Sequence, residues 1–244
     1  MTALALPTRR DEAFRYADLA ALARVWPVAP ERIAVGEGES GSQSIMLDAP
    51  NDVARSLAIE LGAGARFDLR VLNVGGAYGR LAVDVTLGEG ADFTFGAAQL
   101  GGGAQTLEIV TVVTHAAPDA VSRQTIRSVL AGHATGTYLG KVAVARGADG
   151  TDAAQSVRAM LLDKTATANA KPELEIFADD VKCAHGCAVG ELDAAALFYM
   201  ASRGLPPAEA KRLMLQAFIA EAFVGAADEA ALTAAALARL ETLV

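Results

Sequence analysis

Between about residue 31 and residue 187, apolar and polar positions alternate in short runs. Leu57, Ile59 and Leu61 alternate, as do Val83, Val85 and Leu87, and further on Val142 and Val144. A period of two puts successive side chains on opposite faces of a strand. Gly, Asp and Asn punctuate the runs. No long helical pattern separates them, which argues against βαβ units. One stretch recurs: Leu61-Gly62-x-Gly64-Ala65-x-Phe67 returns 26 residues later as Leu87-Gly88-x-Gly90-Ala91-x-Phe93, with a weaker echo at Val142-x-Val144-x-x-Gly147-Ala148. A repeat of this length marks a stacked array. Each unit here is strand, glycine turn, strand, with little room for a helix. The pattern therefore predicts a mainly β chain folded as a parallel β-helix, whose coils bury a ladder of Ala, Val and Leu. The alternative is a β-sandwich containing two hairpins that resemble each other by chance.

The ends read differently. Residues 11–26 carry Phe14, Leu19, Leu22 and Val25 at helical spacing, which predicts one amphipathic helix ended by Pro27 and Pro30. From 190 onward the pattern is helical. Asp193 is placed to cap a helix through Leu197, Tyr199 and Met200, and Gly204 sits where a glycine ends one. Pro206-Pro207 opens a second helix, with Leu213, Met214, Ala217, Phe218 and Glu221 on one face. Gly225 breaks it, and a last Ala-rich helix spans about 228–243. The expected organisation is an N-terminal helical segment (1–30), a β-helix core (31–189) and a C-terminal helical domain (190–244).

Composition narrows the class. A chain of 244 residues can bury a core without disulfides or a metal. Lys and Arg number 21 against 29 Asp and Glu, a net charge of −8, which disfavours nucleic acid and anionic membrane as partners. Apolar residues make up 52% but aromatics only 5%, which suits a narrow interior. No run approaches the ~20 apolar residues of a membrane helix. The opening MTALALPTRRDEAF has its charges after a very short apolar start, the wrong order for a secretory leader. A cytoplasmic protein in a reducing compartment is expected.

Candidate chemistry is sparse. Gly36-x-Gly38-x-x-Gly41 has the form of a dinucleotide fingerprint, but Glu37 and Glu39 would repel a pyrophosphate and no helix follows. Gly136 to Lys141 imitates a phosphate loop one residue short, with Val142 in place of the Ser or Thr that would hold Mg²⁺. Neither Gly-x-Ser-x-Gly nor Cys-x-x-Cys occurs. The machinery for ATP hydrolysis, hydride transfer and acyl transfer is lacking, so no catalytic residue is assigned. His115 and His133 stand alone and read as turn or surface histidines. The segment 179–187 is denser, holding both cysteines and one of three histidines. If the strand at Leu174-x-Ile176 continues, Cys183 and His185 share a face. A thiolate beside an imidazole suits iron or zinc, although two donors cannot close a site and a partner chain would supply the rest. A small buried Cys beside a structural His is the other reading, and spacing leaves the two even. Cys187 lies past Gly186, and its direction is open. Asp179 and Asp180 would point oppositely on a strand, which disfavours the paired carboxylates of a sugar-active β-helix enzyme.

The run KPELEIFADDVKCAHGCAVGELDAAALFYMASRG resembles the C-terminal signature of the SufB/SufD family of iron–sulphur cluster assembly proteins. The similarity extends upstream through Tyr138-x-Gly140-Lys141-Val142-x-Val144, Gln155 and Arg158-x-x-Leu161-Leu162, and downstream through Arg203-Gly204 and Glu209-Ala210. It is dense from about 105 to 223. Within the family the chain is most like the SufD branch, since a SufB chain would be longer and richer in cysteine. The resemblance implies a right-handed β-helix between helical segments and a non-catalytic scaffold. It implies pairing with a SufB-like paralogue and docking of a SufC-like ATPase on the C-terminal helices, to which Leu213, Met214 and Phe218 are assigned. It also implies a transient iron–sulphur cluster shared with the partner and not held by this chain alone, with His185 and its neighbour Cys183 as donors. A homodimer of the isolated chain and a purely structural adaptor without a metal site are the alternatives.

Overall fold

The computed structural model describes residues 5–244; residues 1–4, part of the opening segment and of the expected N-terminal unit, lie outside them. Among the described residues twelve strands form two six-stranded sheets. One contains β1 (Pro30–Val35), β3 (Val53–Leu61), β5 (Tyr78–Leu87), β7 (Thr106–His115), β9 (Thr135–Val144) and β11 (Thr167–Ile176). The other contains β2 (Ser40–Leu47), β4 (Arg66–Asn73), β6 (Asp92–Gly101), β8 (Val121–Leu130), β10 (Asp152–Leu161) and β12 (Lys182–Gly190). The chain alternates between the sheets, and β5 pairs with β3 and β7, like every neighbouring pair, in parallel. This is a parallel β-solenoid of six coils; the hairpins of the sandwich alternative do not form.

The repeat is the register itself. Leu61 pairs with Leu87 and Phe67 with Phe93. Gly38, Gly64 and Gly90 adopt left-handed backbone at one corner of successive coils. There each N–H donates to a carbonyl one coil on: Gly38 to Ala63 at 2.8 Å, Gly64 to Glu89 at 2.7 Å and Gly90 to Pro118 at 2.9 Å. Asp119 takes the same role and is left-handed too, with φ 59°. The dinucleotide-like Gly38 is thus a corner residue, and the phosphate-loop imitation lies in strand β9.

His115 is not the turn or surface residue expected. It ends β7 in a fully buried inward row, between Leu87 and Val144. Its Nε2 meets Ser122 Oγ at 2.9 Å. Burial pushes its pKa down to about 4. His133 is exposed in the turn after β8.

The single N-terminal helix also does not form. A 3-10 turn at Glu12–Phe14 and a short helix α1 (Leu19–Ala23) replace it. The reason lies on the outer face of the first sheet. Arg80 Nη2 donates to the Ala13 carbonyl at 2.9 Å, and the Asp18 N–H donates to Glu108 Oε1 at 2.9 Å. Both backbone groups would be spent internally in a continuous helix. Asp18 then caps α1 through the Ala20 and Ala21 N–H groups.

Three C-terminal helices follow, α2 (Ala194–Ser202), α3 (Pro207–Ala220) and α4 (Glu229–Leu240), and α3 and α4 cover the outer face of the second sheet. Leu215, Ile219, Ala222, Phe223, Leu232, Ala236 and Leu240 pack on Leu72, Ala98, Leu100 and Val129. Arg70 Nη1 donates to the Ala222 carbonyl at 2.9 Å, and Arg127 Nε donates to Glu221 at 2.9 Å. The approach is close because Gly96 lies beneath: a Cβ there would sit 1.9 Å from the Ala222 oxygen.

Two outcomes are expected. Between pH ~6.5 and ~4 the unfolded chain protonates His115 and the folded chain does not, so His115 removes stability as pH falls through that window, by up to about 3 kcal/mol. The pair His115→Leu with Ser122→Ala should flatten that part of a denaturation-versus-pH series; an unchanged slope would place the titration elsewhere. Gly96→Val should cost about 1–3 kcal/mol by overpacking. In the same thermal melts Gly186→Ala, which meets nothing within 4 Å, should cost no more than about 0.5 kcal/mol. Equal melting temperatures for the two variants would refute the helix docking described.

Candidate functional site

The solenoid ends on β12, which pairs with β10 alone. The strand β11 ends at Ile176, and residues 177–181 turn the corner before β12 begins. Cys183 and His185 therefore do not continue the Leu174-Ile176 strand, as the alternation had suggested; they lie in the opposite sheet. Asp179 and Asp180 lie in that corner and not on a strand. The Asp180 carbonyl accepts from Gly150 N–H at 2.7 Å.

Register decides which way the site residues face. Cys183 pairs with Ala153, His185 with Gln155 and Cys187 with Val157. All three β10 residues are buried inward positions. Cys183, His185 and Cys187 thus occupy one face, the inward one, and Gly186 does not redirect Cys187. They are accessible because no further coil covers them. Cys183 is half-buried against Val142, Val144, Ala148 and Ala153, whereas His185 and Cys187 are exposed. Burial raises both thiols above the ordinary range, and Asp152 adds to this at Cys183 against a lowering contact from the Ala153 backbone.

A strand advances about 3.3 Å per residue, so neighbouring donors in this row have Cα atoms about 6.6 Å apart. Neighbouring side chains in such a row can reach one ion, but two donors leave half of a tetrahedral shell, with ligands ~2.0–2.3 Å from the metal, unfilled. Among the described residues no three His, Cys, Asp or Glu side chains converge to hold a metal ion. The row fits as a set of nitrogen and sulphur donors to iron only where another chain completes the shell. Cys183 and Cys187, about 13 Å apart by the same rise, are too far apart to form a disulfide.

Behind the row lies a polar group that the sequence reading missed. Gln155, Gln124, Tyr138 and Thr111 are buried together inside the solenoid. Tyr138 hydroxyl donates to Gln124 Oε1 at 3.1 Å, and Gln155 Nε2 donates to the Tyr138 oxygen at 3.3 Å. The available signal was two glutamines at strand positions where the period-two pattern demands core.

The residues expected to dock an ATPase divide. Leu213 is exposed and Met214 half-buried. Phe218 packs on the solenoid, with the Arg127 guanidinium 5.8 Å from its ring centre. The stripe facing the sheet is Leu215 and Ile219, one position round from the expected face. Exposed aromatic surface lies instead on α2, at Phe198 and Tyr199. Among the described residues no helix is long and apolar enough to cross a membrane.

The described chain is thus a parallel solenoid with two thiols and an imidazole in one row on its last strand. The sequence matches the SufBD core domain of the SUF system for FeS cluster assembly over residues 53–218, and the chain belongs to that family of iron–sulphur cluster assembly proteins. It is 34% identical over 165 residues to a SufBD family protein of Synechocystis, covering 67% of this chain and 36% of that one. It is 40% identical over 119 residues to the chloroplastic protein ABCI7 of Arabidopsis thaliana, covering 48% and 25%. It is 37% identical over 108 residues to the iron–sulphur cluster assembly protein SufD of Escherichia coli, covering 44% and 26%. The matched segments thus span about a quarter to a third of these relatives' lengths.

Exposure predicts the order of thiol labelling. A neutral alkylating reagent should modify Cys187 ahead of Cys183 in the native chain, by about tenfold, and both equally once unfolded. Mass-resolved time courses read this directly; faster native labelling of Cys183 would contradict the packing against Val142 and Val144.

Proposed function

We propose that this chain acts in the cytoplasm as a SufD-like scaffold subunit, pairing with a SufB-like paralogue and docking a SufC-like ATPase. The nascent cluster is cargo, built where the open terminal coil meets the paralogue. His185 supplies an imidazole nitrogen, and Cys183 a thiolate after losing its proton. The observation that carries this reading is that Lys-Cys-Ala-His-Gly of the Asp-Asp-Val-Lys-Cys-Ala-His-Gly run lies on β12, a strand of the last coil, where no further coil covers the inward face. Ile176, Phe177 and Val189 are exposed at the same end, an apolar surface of the kind a partner covers. The ATPase docks on the C-terminal helices, with Leu213 and Met214 at the contact and Phe218 holding the helix to the solenoid. ATP hydrolysis belongs to that partner.

The test is His185→Ala in the complex reconstituted with both partners. His185 is exposed, so the melting temperature should stay within the range of surface substitutions, about 0.5 kcal/mol. Iron and sulphide retained by the complex should fall at least about tenfold, the scale on which even outer-shell partners of metal ligands act. Cys183→Ser should give a milder loss. Full cluster content with His185→Ala would leave only the structural adaptor.

A further inference from the structure

Gln155 is 2% exposed, yet its Oε1 has no hydrogen-bond partner. The network around it leaves the oxygen end of the amide over. The Tyr138 hydroxyl donates to Gln124 Oε1 and lies 3.0 Å from the Thr111 hydroxyl, which donates to that same oxygen at 3.1 Å. With its proton directed to Gln124, Tyr138 offers Gln155 a lone pair, and the amide nitrogen faces it at 3.3 Å. The oxygen that remains can only accept. Gln124 Nε2 does not serve it, being itself without a partner. On the inner side Gln155 stacks on Gln124, and on the outer side its register partner is His185. Strands lie about 4.8 Å apart, so the His185 side chain is the neighbour of the Gln155 amide across the register pair.

We propose that Gln155 is a positioning residue for His185. Its Oε1 accepts the single N–H of the neutral imidazole, which selects one tautomer and turns the other nitrogen's lone pair toward the open edge. A ring nitrogen can bind metal only when unprotonated, and the hydrogen bond made by the opposite nitrogen decides which one that is. The chain Thr111, Gln124, Tyr138, Gln155 thereby passes a fixed orientation from the sealed interior to the exposed donor. This rests on the reading of His185 as a donor to the shared cluster, but its test does not.

The test is long-range ¹H–¹⁵N correlation NMR of the ¹⁵N-labelled full chain, at a pH where imidazoles are neutral. His185 should show one dominant tautomer. Gln155→Met keeps the side-chain length and removes the acceptor, and should move the tautomer ratio about fivefold toward that of free imidazole, the scale of one hydrogen bond. Tyr138→Phe leaves the amide free to turn and should move it the same way by less. A free-imidazole mixture in the unmodified chain overturns the proposal, as does an unchanged ratio in whichever variant folds. A purely structural Gln155 would lower the melting temperature and leave the tautomer alone. Full iron retention in the His185→Ala complex would sink the donor reading while leaving the tautomer result standing.

Discussion

Each inward side chain of this solenoid must fill the space above its register partner one coil below. With strands about 4.8 Å apart, a row of such residues behaves as a column, and one member limits the size and polarity of the next. The column Phe67, Phe93, Ser122, Ala153, Cys183 passes from aromatic to small residues. The column Leu69, Phe95, Gln124, Gln155, His185 becomes polar. A column ends only where the coils end. The terminal coil has a neighbour on one side only, so its inward residues are accessible without any loop or cleft being built. The candidate site is therefore a property of the termination, and Cys183, His185 and Cys187 are what three columns present there.

The outer faces obey a different constraint, because both chain ends fold back onto them. On the first sheet Glu108 is fully buried and accepts from Arg80, from the Tyr78 hydroxyl at 3.0 Å and from the Asp18 N–H. Burying a carboxylate is costly unless it is fully hydrogen-bonded, and here several donors converge on it. Phe14 stacks under the Arg80 guanidinium, 4.4 Å from its carbon, completing the node. On the second sheet three arginines do the comparable work: Arg70 on Ala222, Arg127 on Glu221 and Arg239 on Gln105. These contacts hold α3 and α4 flush to the solenoid. They leave α2 outermost, with Phe198 77% exposed.

The sequence made the solenoid legible because two early coils have equal length. The column step is 26 residues from Leu61 to Leu87, then 28 to His115, 29 to Val144 and 32 to Ile176. Lengthening corners hide the later repeats from any fixed-period comparison, and the echo at Gly147 survives only as a composition. Periodicity also set Cys183 and His185 on one face, correctly, although the strand assumed to carry them had already ended. His115 was misread because an isolated histidine gives no local sign of lying in a column between a leucine and a valine. The N-terminal helix failed for a related reason. Its apolar spacing is real, but Arg80 and Glu108, distant in sequence, claim the backbone groups it needed. Gln124 and Gln155 were visible as polar residues in core positions. Their meaning required the register, which alone stacks them beneath His185.

On the proposed reading, the same geometry would link cluster loading to subunit pairing. Burial already holds the Cys183 and Cys187 thiols above the ordinary range in the open coil. Covering that coil with a partner removes more water and favours the protonated thiols further. An empty, dry interface would bury thiols and an imidazole with no acceptor beyond Gln155. Iron reverses the balance, because a bound cation favours the thiolate and takes the imidazole lone pair. On the proposed reading, pairing is therefore weaker without cargo than with it, and the proton leaving Cys183 is released as iron enters. A scaffold of this kind needs no moving lid to tell loaded from empty. On that reading, the protonation cost of Cys183 and His185 as donors, set by their place at the end of buried columns, would make that distinction.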